Sequence, residues 1–272
     1  MYNLINYLDP VLAKEYLMER FRESGDSTEK PKVEFEFKPP VFNIPKEKIN
    51  LPKVSSLPDD HIAKAYCLKR KIPSEALSKL YYAEDFKAFI DELIPEHEKE
   101  LKSNDPRLII PFFDEFGDLC AVQGRTLNNS KIRYITMKIN KDGIKLFGLD
   151  KVKRSEKIHV LEGPIDSLFL GNAVATADAY LQAASRYLPK DKMVLVFDNE
   201  PRNKDLCKII DEAIDQHYNV CIWPEMVQEK DINDMILAGF TPDELEDIIT
   251  KNTFVNLQAK VEFIKWKKVE LK

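Results

Sequence analysis

The chain has 272 residues and a net charge of −5, because 46 Asp and Glu outnumber 41 Lys and Arg. This length allows a buried hydrophobic core and predicts two compact units. No apolar run approaches the roughly 18 residues that cross a membrane, which excludes a membrane-spanning helix. The first residues also lack the basic start and the cleavage site of a signal peptide. We therefore expect a cytoplasmic protein that does not contact a membrane.

The four cysteines are scattered along the chain and form no Cys-x-x-Cys pair. Zinc ribbons and disulfide frameworks need paired spacings, so this pattern favours buried thiols in a reducing compartment. We expect no zinc in this chain. The cysteines are Cys67, Cys120, Cys207 and Cys221.

Residues 1–58 are predicted to form a helix followed by a proline-rich linker or strap. The helical pattern is amphipathic, as is typical of a packing helix. Six prolines follow between residues 31 and 58, which indicates an extended segment. The apolar positions near one helix face are Leu12, Tyr16, Leu17 and Phe21.

Residues 59–156 are predicted to form a basic subdomain that starts with two or three short helices. From Arg107 the apolar residues alternate between turn signals, which predicts an antiparallel meander. Ten Lys or Arg and only three acids lie between Arg125 and Lys157, so we expect this surface to bind phosphates. Tyr134 could stack on a base, but we expect it to pack in the core.

Residues 157–240 are predicted to form a parallel sheet, because short apolar strands alternate with helices. Acids follow these strands, and the carboxyl ends of parallel strands meet at one edge, where ligands bind. A few carboxylates with water and phosphate are the ligands that Mg²⁺ prefers. The acids expected to converge there are Glu162, Asp198, Glu200 and Asp231.

Residues 241–272 are predicted to form two C-terminal helices. Thr241 and Pro242 are suited to the N-cap and the first position of one helix. The other is expected to be a packing helix over residues 257–271, with Leu257, Val261 and Ile264 on its apolar face.

Three motifs in residues 157–240 resemble the signatures of the TOPRIM domain, which DnaG-type primases, topoisomerases and some nucleases share. They are EGPID at 162–166, FDNEPRNK at 197–204 and KDIND at 230–234. The resemblance implies a Rossmann-like parallel sheet. The motifs differ from the usual pattern in two places, because DNE replaces DxD and DIN replaces DPD.

The TOPRIM resemblance also implies roles for the acids. Glu162 would be a base or metal ligand, and Asp198, Glu200 and Asp231 would be ligands of Mg²⁺ or Mn²⁺. Asp198 and Glu200 would also complete the catalytic set. The supporting residues would be Asp166, Asn233 and Asp234.

The preceding segment resembles the basic subdomain of DnaG-type primases. The shared features are a strand that ends in proline and a hydrophobic residue, a D-x-x-G turn, a Gly-Arg pair and a Phe-Gly-Leu sequence at the entry to the TOPRIM domain. Arg125 matches the G-R arginine, and Arg133 stands in place of a K-Y lysine. The C-terminal sequence resembles that of bacteriophage primases. The residues expected to bind nucleotide or template are Arg125, Lys131, Arg133, Lys138, Arg202 and Lys204.

Together the resemblances imply an α/β protein, in which an α+β basic subdomain precedes the TOPRIM sheet and C-terminal helices. The implied activity is metal-dependent nucleotidyl transfer by a phage DNA primase that makes RNA primers on single-stranded DNA in the host cytoplasm. The implied partners are nucleoside triphosphates and a hexameric replicative helicase. The zinc ribbon that such primases usually carry would lie on a separate polypeptide, have been trimmed off, or not be needed for initiation. A TOPRIM nuclease and a non-catalytic TOPRIM nucleic-acid-binding subunit remain alternatives.

Overall fold

The computed structural model describes residues 49–271 except 96, 98, 129, 141 and 142. Two β-sheets organise this part of the chain. The predicted N-terminal helix and most of the proline-rich segment lie outside the described residues. No described helix is long and apolar enough to cross a membrane.

The first sheet is antiparallel, with the strand order β1-β2-β3-β4. The meander predicted from Arg107 is confirmed as β2 (Arg107–Phe113), β3 (Leu119–Thr126) and β4 (Tyr134–Lys138). The edge strand β1 (Tyr81–Ala83) was not predicted, because three residues are too few to show a strand period. The helices beside this sheet are α1 (Ile62–Lys69), α2 (Ser74–Leu77) and α3 (Phe86–Leu93).

The turn between β2 and β3 follows from its sequence. The Asp114 carboxylate accepts hydrogen bonds from the backbone N–H groups of Phe116 and Asp118, both at 2.9 Å. Gly117 has φ +79°, a left-handed conformation that glycine adopts without a steric penalty. The turn therefore fixes the register of the hairpin.

The second sheet has the order β6-β5-β7-β8-β9. The predicted parallel pairing is confirmed for β5 (Ile158–Leu161), β6 (Ala173–Ala175), β7 (Met193–Leu195) and β8 (Asn219–Cys221). The edge strand β9 (Thr253–Phe254) pairs antiparallel to β8 and was not predicted. Because β6 and β7 lie on opposite sides of β5, the strand order reverses at β5 and β7. This is the point where open α/β sheets bind ligands.

Helices cover the second sheet. They are α4 (Pro164–Ser167), α5 (Lys204–Asp215), α6 (Ile232–Ala238), α7 (Pro242–Lys251) and α8 (Asn256–Trp266). The amphipathic helix α5 buries Leu206, Ile210 and Ile214 against the sheet, as its pattern predicts.

The predicted apolar face of α8 was wrong. Leu257, Val261 and Ile264 are 77%, 43% and 58% exposed, whereas Ala259 and Phe263 are fully buried. Two apolar stripes compete on this helix, and the one carrying the largest ring packs against α5 and the sheet core. The helix also ends at Trp266 instead of continuing to residue 271.

Helix α7 begins with a capping box. The Thr241 hydroxyl accepts a hydrogen bond from the Glu244 N–H at 3.3 Å, and the Glu244 carboxylate accepts one from the Thr241 N–H at 2.8 Å. We expect Thr241→Ala to lower the free energy of unfolding by about 1 kcal/mol, because a helix N–H loses its acceptor. Urea denaturation would measure this loss. Thr241→Ser, which keeps the hydroxyl, should stay close to wild type, and equal losses in both variants would contradict the capping role.

Candidate active site

An open cleft of about 270 Å³ lies at the carboxyl ends of β5 and β7, where the strand order reverses. Glu162 directly follows β5, and Asp198 lies three residues beyond β7. The cleft has one acidic wall and one basic wall. The acids that line it are Glu162, Asp166, Asp198 and Asp231, and the bases are Arg70, Arg125, Arg133 and Lys230.

The acids crowd one another in this cleft. Burial, together with the nearby charge of Asp231, raises the pKa of Asp166 to about 7. Burial and then the charges of Glu162 and Asp166 raise the pKa of Asp198 to about 7. The pKa values of Glu162 and Asp231 are also raised, mainly by burial. Carboxyl pKa values rise in this way when burial removes water from the charge and no opposite charge replaces it, which is common at active sites.

Gly163 allows Asp166 to fold back over the chain. A Cβ atom at position 163 would lie 2.1 Å from Asp166 Oδ2, so no larger residue fits without displacing this carboxylate. The other oxygen, Asp166 Oδ1, accepts a hydrogen bond from the Asn233 N–H at 2.9 Å. The EGxxD spacing therefore brings the carboxylate of Asp166 to the start of α6.

Asn233, which stands where the TOPRIM pattern usually has an acid, is 1% exposed and bound to Arg70. Its amide nitrogen donates to the Arg70 carbonyl at 2.7 Å, and its amide oxygen accepts from the Arg70 guanidinium at 2.6 Å. Asp234 contributes its backbone N–H, which donates to Asp231 Oδ1 at 2.8 Å, so that Asp231 is the N-cap of α6. In this structure Asn233 joins the two sheets' subdomains through Arg70.

Glu200 faces the cleft across Lys230 and does not itself line it. The Lys230 ammonium lies 3.3 Å from Glu200 Oε1 and 3.7 Å from Asp198 Oδ2. It thus supplies one positive charge between two carboxylates of the DNE motif. Neither Lys230 nor Arg70 was predicted from the sequence to belong to the site. Lys230 could have been found because it directly precedes Asp231, whereas Arg70 lies in no recognised motif.

The basic wall is built on the antiparallel sheet. Arg125 and Tyr134 are cross-strand neighbours on β3 and β4, with the guanidinium 4.7 Å from the ring centre. Tyr134 is 43% exposed, so the expectation that it packs in the core was wrong. The mistake arose because aromatic residues in strands are usually buried, whereas the edge strand β4 turns this ring towards the cleft. Desolvation of its hydroxyl raises the pKa of Tyr134 to about 12.

Of the six basic residues predicted to bind nucleotide or template, the cleft is lined by Arg125 and Arg133. Lys138 lines a separate depression beside Lys145 and Arg186, and Arg202 lines a larger cavity of about 490 Å³ next to α8. Lys131 and Lys204 are exposed at a loop and at the first residue of α5.

The acidic wall has the donor chemistry for a divalent cation. Among the described residues, no three His, Cys, Asp or Glu side chains lie close enough together to form a ready-made metal site. Mg²⁺ does not require one, because it binds through one or two carboxylates together with water and substrate phosphates. Burial, with the charges of neighbouring carboxylates adding to it, raises the pKa values of Asp166 and Asp198, and a bound cation would offset the charge of these carboxylates.

The raised pKa values predict how stability depends on pH in the absence of metal. Because the native state keeps a proton on Asp198 up to about pH 7, whereas the ordinary value is 3.8, ionisation weakens the fold as the pH rises through this range. We expect Asp198→Asn to be more stable than wild type at pH 8 and to lose more than half of this advantage by pH 5, because the carboxyl of the unfolded chain stays ionised down to about its ordinary pKa of 3.8. Denaturation with urea in EDTA at both pH values tests this. An advantage of the same size at both would contradict it.

A curated relative, the DNA primase of Enterobacteria phage T4, is 33% identical over 266 residues, which are 96% of this chain and 76% of the relative. The chain belongs to the DNA primase family. It is accordingly a nucleotidyltransferase that synthesises RNA primers, and primer synthesis by this family depends on metal. The resemblance to phage-type primases is thus confirmed. No family model matches the chain.

Solved structures of primases share the fold. The catalytic core of the E. coli primase superposes with a TM-score of 0.56 at 17% identity and covers 79% of each chain. A DnaG primase catalytic domain bound to single-stranded DNA gives 0.55 at 16% identity and covers 75% of each chain. The zinc-binding and RNA polymerase domains of the Aquifex aeolicus primase give a TM-score of 0.54 at 22% identity. That match covers 72% of this chain and 56% of the Aquifex chain. The primase core fold is therefore confirmed.

Proposed function

We propose that the cleft between the two sheets is where this primase joins nucleotides on a single-stranded DNA template. The observation that carries the proposal is the pairing of an acidic wall at the ends of β5 and β7 with a basic wall on β3 and β4. Triphosphates and template phosphates need cations around them, and a catalytic divalent cation needs carboxylates. The cleft offers both within one volume of about 270 Å³.

Asp198 and Asp231 of the acidic wall would hold Mg²⁺ or Mn²⁺, together with Glu200, which lies beside the wall across Lys230. Such an ion, when bound, activates an attacking oxygen and offsets charge on the phosphates. Glu162 is suited to accept the proton of the attacking 3′-hydroxyl, because its raised pKa makes the carboxylate a better base than an ordinary glutamate. The hydroxyl oxygen attacks the α-phosphorus of the next nucleotide, and pyrophosphate leaves. Asp166, Asn233 and Asp234 keep the acidic wall in place.

The basic wall would bind the phosphates of the template or the incoming nucleotide. Arg125 and Arg133 can each form two parallel hydrogen bonds to a phosphate, which a lysine cannot. Tyr134, held beside Arg125, presents an exposed ring on which a base could stack. Lys131, Lys138, Arg202 and Lys204 would extend this positive surface beyond the cleft. Binding should weaken as salt rises.

The proposal extends to organisation and partners. Residues 59–156 would be the template-binding subdomain, residues 157–240 the metal-binding TOPRIM domain, and residues 1–58 and 241–272 flanking segments. By resemblance to the primase family, we propose action in the host cytoplasm with a hexameric helicase and a separate zinc-ribbon polypeptide.

Labelled-nucleotide incorporation on single-stranded DNA tests the proposal, first with Mg²⁺ and then with Mn²⁺. Short RNA products that disappear in EDTA are the expected result. An absence of product in either metal while the template still binds would contradict independent catalysis and assign the missing component to a separate chain. Degradation of the template would instead establish a nuclease.

A further inference from the structure

Asn199, the middle residue of the DNE motif, connects the two loops that carry the proposed metal ligands. Its backbone N–H donates to the Lys230 carbonyl at 2.6 Å. Its side-chain amide nitrogen donates to the carbonyls of Val227 at 2.9 Å and Glu229 at 3.1 Å. Three hydrogen bonds from one residue therefore fix the loop of Asp198 against the loop that leads to Asp231.

The C-terminal helix α8 supplies the fourth hydrogen bond. The indole N–H of Trp266, the last residue of this helix, donates to Asn199 Oδ1 at 2.9 Å. Just beyond the helix, the Lys268 N–H donates to the Pro201 carbonyl at 2.8 Å. Phe263, which is fully buried, anchors α8 and lies 6.0 Å from the Trp266 ring. The helix end is thus attached to the DNE loop at two points.

The contacts require an asparagine at this position. An asparagine amide has two N–H donors and one carbonyl acceptor on the same short side chain. At position 199 both donors bind carbonyls of the loop that leads to Asp231, and the acceptor binds the last residue of α8. Aspartate would lose the two donors, and alanine or glycine would lose every side-chain bond.

We propose that Asn199 is a positioning residue for the metal site, and that α8 contributes to metal binding through Trp266. This inference rests on the proposed metal site and assigns to that site two residues that do not themselves bind metal. Partners that orient the ligands of a metal typically change its affinity by about 10- to 100-fold when they are removed. The same hydrogen bonds hold Asp198 and Asp231 at a fixed separation, which a bound cation needs.

Mn²⁺ binding measured by electron paramagnetic resonance, on the full chain without nucleotide, tests the proposal. We expect Asn199→Ala to raise the dissociation constant by about 10-fold or more. Trp266→Phe keeps the aromatic packing and removes one hydrogen bond, so we expect a rise of about 5-fold. In primer synthesis, both variants should need more metal for half-maximal rate and should recover a rate close to wild type at saturating metal.

Two control variants make the outcomes distinct. Ile90→Val removes one methyl group from α3, which packs in the core beside the antiparallel sheet and shares no core cluster with these loops, and it should leave Mn²⁺ affinity within about twofold of wild type. An equal loss of affinity in this variant, or wild-type affinity in Asn199→Ala, overturns the positioning role. Asp198→Asn tests the site itself. If it binds Mn²⁺ as wild type does, the proposed metal site fails and the positioning role fails with it.

Discussion

Asp198→Asn and Glu162→Gln are each expected to lower the rate of primer synthesis by at least about 100-fold. Both changes keep the size of the side chain and remove its charge, so the shape of the cleft is preserved. Asp198 would lose its role in holding the cation, and Glu162 would lose its capacity to accept a proton. Labelled-nucleotide incorporation at saturating template and metal measures both effects.

Asp205→Asn is the matched control for these substitutions. Asp205 lies in the first turn of α5, seven residues beyond Asp198, and its side chain is 92% exposed. The rate of primer synthesis by Asp205→Asn should stay within about twofold of wild type. Wild-type activity in Asp198→Asn or Glu162→Gln, with Asp205→Asn equally active, would show that the chemistry takes place elsewhere.

Arg107→Met is expected to lower the free energy of unfolding by about 3–5 kcal/mol. The Arg107 side chain is 1% exposed and forms an ion pair with Asp105 at 2.7 Å. Its guanidinium also donates to the carbonyls of Gly124 at 2.9 Å and Ile132 at 3.1 Å. Methionine would leave a buried carboxylate and two carbonyls without this partner. The loss should also weaken template binding, since Gly124 and Ile132 directly precede Arg125 and Arg133.

Urea denaturation measures the loss in Arg107→Met, and an exposed ion pair provides the comparison. Lys251 lies 3.3 Å from Asp247 with both side chains more than 70% exposed, so Lys251→Met should cost less than about 1 kcal/mol. The double variant Arg107→Met with Asp105→Leu should recover part of the loss, because it removes the unpaired carboxylate. A double variant no more stable than Arg107→Met would contradict the buried-charge explanation.

The acidic wall could be predicted from the sequence because it depends on one geometric rule. Glu162 and Asp198 each follow a short apolar strand, and a parallel sheet brings the ends of its strands together whatever their separation along the chain. Glu162 and Asp198 are brought to one cleft in this way. The meander behind the basic wall was predicted for a similar reason, since alternation and turn residues are local signals.

The contacts that hold the cleft together could not be predicted. Arg70 and Asn233 are 163 residues apart, and Trp266 and Asn199 are 67 apart. Neither pair has a local pattern, because a hydrogen bond between distant side chains depends on the final packing. The exposed ring of Tyr134 and the buried face of α8 were misjudged for the same reason. Each element offered two faces, and tertiary contacts selected one.

The bond between Arg70 and Asn233 also has a consequence for folding. Strands β2, β3 and β4 are joined by short hairpin connections, whereas the partner of Arg70 lies 163 residues later in the chain. A contact across that separation forms more slowly than a hairpin, because its loop costs more entropy to close. We therefore expect the cleft to assemble after the hairpins, so that a nascent chain acquires its basic surface before it acquires its catalytic centre.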